Sequence, residues 1–337
     1  MNNMILDVRN MAVSFKMDEG LLTAVRGVDF QIREGQTLGI VGESGCGKSV
    51  TTQALLRLLP RFASITGQIL YYPRGADTPN DIAKMANEGE EIRSIRGGDI
   101  GVIFQEPMKA FSPIHTIGNQ IIEAIMLHVE KDLIKAREIA LGMLRAVGMS
   151  NAEQRIDEYP HQLSGGMRQR AMIAMAIACR PRILIADEPT TALDVTVQAQ
   201  VLDLINGLKH DFQSSVIFIT HDLGVIAEMS DEVAVMYLGR IVERADVVSL
   251  FQDPLHPYTV ALMRSMPALA TEAGARLESI EGTVPYPMNL PDGCGFYSRC
   301  KRRVEGLCNQ KEAPLMEVSP GHFVRCHLFG LSETEAM

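Results

Sequence analysis

The sequence predicts an α/β fold built on a parallel sheet, and three observations carry the expectation. Short apolar runs, many of them β-branched, alternate with stretches of helical periodicity through the first 245 residues, the pattern of strands connected by helices. One such run, Thr37-Leu38-Gly39-Ile40-Val41, leads into Gly42-Glu43-Ser44-Gly45-Cys46-Gly47-Lys48-Ser49, which fits the phosphate-binding loop pattern G-x-x-x-x-G-K-[ST]. A second run, Ile183-Leu184-Ile185-Ala186, ends in two acids, Asp187 and Glu188.

In chain order, Ile5–Val8 and Met11–Phe15 alternate like two early strands, and Val25–Ile32 reads as a third. Arg33–Gln36 is a turn before the phosphate loop, and Val50–Leu59 continues from that loop with helical spacing. Gln68–Tyr72 is strand-like and Pro73–Asn80 a polar loop, with the connection over 73–98 unusually long. Ile100–Phe104 is a short apolar strand that ends at Gln105. From Thr116 to about Ala152 the apolar residues recur at helical spacing; Met167–Ala178 and Val197–Lys209 are further helices. Ile183–Ala186, Val216–Thr220 and Val233–Tyr237 read as core strands. After about Glu243 the texture changes. Asp253-Pro254-Leu255-His256-Pro257-Tyr258 breaks the periodicity, and Pro285, Pro287, Pro291, Pro314 and Pro320 follow. A boundary is expected near residue 245, dividing 1–245 from 246–337, with disorder at Ser332–Met337.

Composition excludes several classes. With 46% apolar and 22% charged residues the 337-residue chain is globular. A net charge of −9 argues against sequence-independent nucleic-acid binding, which needs a basic face. Met1–Asn10 lacks the basic flank and apolar run of an export signal, and no run of eighteen apolar residues exists. Neither a signal peptide nor a membrane span is expected. Six cysteines without an export signal point to a reducing compartment, the cytoplasm. The 19 methionines read as core packing.

The motifs say what chemistry to look for. In the phosphate loop, glycines let backbone N–H groups approach phosphates, and the helix N-terminus adds its dipole. Lys48 would reach the β- and γ-phosphates, and the Ser49 hydroxyl would hold Mg²⁺. Cys46 occupies a free position of the loop; nearness to a helix start would lower its pKa and leave it sensitive to alkylation. Cys179 reads as helix packing. In P-loop NTPases an acid after a core strand holds Mg²⁺, the role that fits Asp187, and Glu188 lies where it could polarise an attacking water. Leu163-Ser164-Gly165-Gly166-Met167 precedes a helix, with Ser164 as N-cap. It makes a second anion site. One nucleotide cannot easily use both from one chain, but a sandwich of two chains can.

This set resembles the ATP-binding subunit of an ATP-binding-cassette transporter, with the L-S-G-G signature at Leu163–Gly166 as the discriminating motif. The resemblance implies a P-loop NTPase cassette with an antiparallel β subdomain and a helical subdomain inserted at about 108–165. It implies that ATP is bound by Gly42 to Ser49 and Val50, with Phe15 stacking on adenine. Read alone, Phe15 is a core strand residue. Gln105 becomes the Q-loop glutamine on Mg²⁺, alongside Ser49 and Asp187. Glu188 becomes the general base, Asp194 the D-loop aspartate and His221 the switch histidine. Ser164, Gly165 and Gly166 would face the partner's nucleotide. The implied partners are a second cassette ATPase, as a heterodimer, two integral membrane permease subunits and, through them, an extracytoplasmic binding protein. The implied place is the cytoplasmic face of the inner membrane. Soluble cassette ATPases of DNA repair or translation are the rival; they carry two cassettes or a long coiled coil, and neither is present.

Cys294, Cys300, Cys308 and Cys326 have gaps of five, seven and 17 residues. Neither zinc-ribbon nor ferredoxin spacing appears. Four thiols in a Pro-rich segment with little apolar core nearby suggest a metal staple. Spacing leaves zinc and iron–sulfur open. His256-Pro257-Tyr258-Thr259, Gly293-Cys294-Gly295-Phe296 and Arg299-Cys300 look like the C-terminal region of oligopeptide/dipeptide transporter ATPases, as does Tyr159-Pro160-His161-Gln162. That resemblance implies a [4Fe–4S] cluster on the four cysteines, with Zn²⁺ as the alternative and His322 and His327 as surface histidines that could substitute. It also implies peptide cargo, with nickel or oligosaccharide as alternatives.

Overall fold

The structure, a computed structural model, describes residues 4–76, 78–191, 193–266, 280–288, 290 and 292–330. The expected disorder at 332–337, together with Pro291 and Ala192, lies outside the described residues. The chain forms two compact units. One comprises Arg33–Gln36 and Met85–Ile219; the other comprises Met4–Ile32, Thr37–Lys84 and the described part of Thr220–Met337.

The elements follow the sequence periodicity closely. They begin with β1 (Met4–Met17), β2 (Gly20–Arg33), β3 (Thr37–Val41), α1 (Lys48–Leu55), β4 (Ala63–Tyr71) and β5 (Asn80–Asp81). Next come α2 (Glu90–Ile95), β6 (Ile100–Ile103), α3 (Pro107–Ala110), α4 (Ile117–His128), α5 (Leu133–Ala146) and α6 (Ala152–Arg155). Then follow α7 (Gly165–Ile177), β7 (Ile183–Asp187), α8 (Val195–Phe212), β8 (Ser215–Thr220), α9 (Leu223–Met229) and β9 (Glu232–Tyr237). The chain continues through β10 (Arg240–Asp246), α10 (Val247–Gln252), α11 (Pro257–Arg264), β11 (Met316–Ser319) and β12 (His322–Val324).

In the unit of Met85–Ile219, β6 and β8 flank β7, all parallel. Their side chains are almost wholly buried, as expected of strands covered on both faces. The helical stretch between β6 and β7 is not one rod. It breaks after His128, and Asp132 restarts it by accepting the N–H groups of Ile134 and Lys135. The connection over 73–98 is likewise not plain loop, since β5 pairs antiparallel with β4 and α2 follows.

In the other unit, β2, β1, β4 and β5 form an antiparallel sheet in that order. The two early strands expected from sequence are one strand, β1. Asn10 takes a positive φ of 45° and the register shifts between Arg9 and Ala12. A β-bulge flips the side-chain alternation without ending the strand. Strand β3 runs parallel to β9, and β9, β10, β12 and β11 continue antiparallel.

The C-terminal segment does not lack a core. Tyr258, Met263, Phe296 and Cys300 are buried with Val235, Tyr237 and Val242 in one cluster. Phe296 meets Tyr237 edge-on at 5.2 Å and Tyr258 at 5.4 Å, geometries that aromatic rings favour. Glu243, fully buried, accepts the N–H groups of Leu255 (2.7 Å) and His256 (2.8 Å), and His322 Nε2 hydrogen-bonds it at 2.8 Å. His322 is therefore an interior residue and not a surface histidine. Among the described residues no helix is long and apolar enough to cross a membrane.

Candidate active site

The phosphate loop joins β3 to α1, as its sequence context required. Its glycines serve packing as well as ligand approach. A Cβ on Gly42 would lie 2.1 Å from the Met236 carbonyl oxygen. One on Gly47, at φ 102°, would lie 2.4 Å from that of Ala24. Gly45 also has positive φ, 80°, and together with Ser44 is exposed. Lys48 is buried; its Nζ donates to the carbonyl oxygens of Gly42 at 2.7 Å and Glu43 at 3.1 Å. Ser49 and Val50 lie half-buried in the first turn of α1.

Glu43 is held from three sides. Its N–H donates to Tyr258 Oη at 2.9 Å, its carbonyl accepts from Lys48, and its carboxylate takes a bidentate ion pair from Arg299 at 2.7 and 3.0 Å. Neither Tyr258 nor Arg299 stands out by sequence as a site residue. Their neighbours in the motifs His256-Pro257-Tyr258 and Arg299-Cys300 were the available signal.

Cys46 departs from expectation. It is 1% exposed, and burial pushes its thiol pKa up, not down. The helix start is outweighed by desolvation, which disfavours the thiolate. Cys179 is half-buried just beyond α7, and burial pushes its thiol up to about 11.

At the end of β7, Asp187 and Glu188 are half-buried. Glu188 takes φ 47°, a left-handed conformation uncommon for a residue with a Cβ; such strain gathers at functional positions. Its N–H donates to the Ile219 carbonyl at 2.9 Å. Its Oε2 accepts from Gln105 Nε2 and from Thr191 Oγ1, each at 2.9 Å. The structure thus brings together Gln105 and Glu188, 83 residues apart, and adds Thr191, which no local motif marks.

Ser164 caps α7 by accepting the Met167 N–H at 3.3 Å, and an added Cβ on Gly165 or Gly166 would meet nothing within 4 Å. This helix start is open. Asp194 caps α8 by accepting the N–H groups of Thr196 and Val197 at 3.1 and 3.0 Å. His221 is exposed just after β8, ahead of Asp222, which caps α9. Phe15 is half-buried on β1, with the exposed Phe62 ring 6.0 Å away.

Cys294, Cys300, Cys308 and Cys326 border one small cavity, with Arg302, Arg303, Arg325 and His327. Burial pushes the thiol of Cys294 up to about 12 and that of Cys326 up to about 11. Among the described residues, no three His, Cys, Asp or Glu side chains are placed to hold one metal ion. The metal staple is not shown; the packing around Phe296 and the Glu243 network hold the segment instead.

The family described as "ABC transporter" matches residues 25–191. The family described as "Oligopeptide/dipeptide transporter, C-terminal region" matches residues 242–308. A probable peptide ABC transporter ATP-binding protein of Sinorhizobium fredii is 48% identical over 326 residues, spanning 96% of this chain and 95% of that protein. The dipeptide transport ATP-binding protein DppD of Bacillus subtilis is 46% identical over 326 residues, spanning 96% and 94%. Among solved structures, a dimeric ATP-binding cassette in a post-hydrolysis state with ADP and Pi is 25% identical with a TM-score of 0.62, covering 72% of this chain and 99% of that one. Cassette motifs, cassette fold and the oligopeptide-type C-terminal region occur together in one chain, which belongs to the ATP-binding subunits of ABC transporters, in their oligopeptide/dipeptide branch.

Proposed function

We propose that this chain hydrolyses ATP to drive uptake of di- and oligopeptides. One observation carries the cargo: the similarity to peptide-transport ATPases runs through 96% of the chain, including the segment beyond the cassette. Nickel or oligosaccharide uptake is the alternative. The chain works peripherally at the cytoplasmic face of the membrane, beside a second cassette ATPase and two permease subunits, with an extracytoplasmic binding protein delivering cargo. Residues 1–245 form the nucleotide-binding part and 246–337 the extension, in keeping with the two matched regions.

The residues divide the chemistry. Backbone N–H groups of the 42–49 loop other than that of Glu43, which Tyr258 takes, receive the β- and γ-phosphates together with Lys48, and Phe15 takes the adenine. Ser49, Asp187 and Gln105 offer the hard oxygen donors that Mg²⁺ takes, and the ion supplies charge neutralisation at the phosphates. Glu188 accepts the proton of the attacking water, oriented by Gln105 and Thr191. His221 donates to the γ-phosphate oxygens. The open start of α7, at Ser164, Gly165 and Gly166, receives the nucleotide of the partner ATPase, and Asp194, which caps α8, serves as the D-loop aspartate.

The family resemblance favours a [4Fe–4S] cluster on the four cysteines, with Zn²⁺ as the alternative. They border one cavity with Arg302, Arg303 and Arg325 beside them, a lining that suits the net negative charge of either four-thiolate centre. Bound there, a cluster would cross-link the extension. About four irons per chain in an anaerobic preparation would support it; zinc without iron would reject it.

The function itself is tested by trapping Glu188→Gln with ATP in detergent-solubilised membranes, purifying it and identifying partners by mass spectrometry. Two multi-spanning subunits and a second cassette ATPase are expected. Recovery of ribosomes or DNA instead would overturn the transport reading.

A further inference from the structure

We infer that Arg299 and Tyr258 are positioning residues for the phosphate loop, so that the C-terminal extension tunes nucleotide affinity through Glu43. The inference rests on the reading that residues 42–49 hold the phosphates.

The loop needs outside support. Residues 42 to 47 lie between the end of β3 and the start of α1, and Gly45 and Gly47 both adopt positive φ. Glycines widen the range of conformations such a turn can visit. Phosphate binding requires one of them, with successive N–H groups pointing to one place. Fixing a loop in its binding form raises affinity by lowering the ordering cost.

Residue 43 is where the fixing occurs. Tyr258 Oη accepts its N–H and Arg299 grips its carboxylate by two parallel bonds. A bidentate guanidinium–carboxylate pair fixes direction as well as distance. Arg299 is itself immobilised. Its side chain is 4% exposed. Its guanidinium also donates to the carbonyls of Glu281 at 3.0 Å and Gly282 at 3.2 Å, and to Tyr237 Oη at 3.4 Å. Tyr258 is fully buried, 4.6 Å from the Tyr237 ring. Both supports come from the extension, and Arg299 directly precedes Cys300, which borders the four-cysteine cavity. An extension that loses its shape would release the loop.

The test uses the full chain and a non-hydrolysable MgATP analogue, with affinity measured by calorimetry and folding by thermal melting without nucleotide. Arg299→Ala and Glu43→Gln are each expected to weaken binding roughly 3- to 30-fold, less than the full loss of a charge-assisted hydrogen bond because the pair acts on the nucleotide only through the loop. The double variant should bind no worse than the weaker single one, and Arg299→Lys should recover part of the loss. Additive losses in the double variant would overturn the inference. So would unchanged affinity in the single variants, whether or not their melting falls, because the pair would then be a staple of the fold alone. Lys48→Ala separates the two readings. If it abolishes binding while Arg299→Ala has no effect, only this inference fails; if Lys48→Ala binds normally, the phosphate-loop reading fails first.

Discussion

The Gln105 amide donates to Glu188 Oε2 at 2.9 Å, and so joins the end of β6 to the end of β7 through their side chains. The carboxylate at the heart of the proposed hydrolysis is therefore oriented by the residue that the family resemblance makes the Q-loop glutamine. A displacement of the Gln105 segment would reach Glu188 without an intermediary.

Glu188→Gln keeps the shape of this arrangement and removes the base. Turnover should fall roughly 10²- to 10⁴-fold with ATP binding retained. Steady-state hydrolysis by the assembled transporter, beside analogue binding, measures both. Near-normal turnover would end the assignment.

Thr191→Val removes the second hydrogen bond to Glu188 Oε2. A lost neutral-to-charged hydrogen bond of about 1.5–3 kcal/mol sets the upper limit of the effect on kcat, with KM little changed. A matching rise in KM would show that Thr191 acts on binding instead.

Cys46 should resist N-ethylmaleimide in the folded chain. It is buried and its thiol is pushed up by desolvation, so reaction must await opening of the loop. Mass-spectrometric mapping after brief labelling at neutral pH should find Cys46 modified at least ~10-fold more slowly than in urea-unfolded chain. Equal rates would contradict the burial.

Acid should destabilise the extension through His256. The ring is buried, its Nδ1 accepts the Tyr258 N–H at 3.0 Å, and burial pushes its pKa down to about 3 from an ordinary 6.5. The unfolded chain thus binds the extra proton between those values, so stability is full above about 6.5 and is lost as pH falls toward 3. The slope from this group approaches about 1.4 kcal/mol per pH unit. His256→Asn keeps an acceptor at the cap without the charge, and urea melts at pH 6.5 and 4.5 should show a smaller loss than the parent. Equal losses in both proteins would exclude His256 as the cause.

The site was legible where its chemistry is local. Gly42–Ser49, the acids after β7 and the cap at Ser164 are each written in consecutive residues, and strand–turn–helix periodicity places them. What sequence reading left out lies in pairs far apart along the chain. Thr191 matters only because the left-handed turn at Glu188 brings its hydroxyl back to the carboxylate. Cys46 reads as reactive by sequence because local position favours the thiolate, whereas its burial in the fold decides the outcome. The bulge at Asn10 reads by sequence as a break between strands for a similar reason: alternation flips there, but pairing with β4 continues on either side. The extension seemed short of apolar core because its partners, Val235, Tyr237 and Val242, belong to the cassette sequence.

Glu43 and Arg299 are separated by 256 positions, which has a bearing on the order of synthesis. The phosphate loop leaves the ribosome early, while the side chains that grip it arrive only as translation nears its end. A nascent cassette can assemble its strands as they emerge, but its loop stays without these two supports until the extension has been made. Premature termination after the cassette would leave the loop without both supports and would also strip Tyr237 and Val242 of their packing and Glu243 of its hydrogen-bond partners.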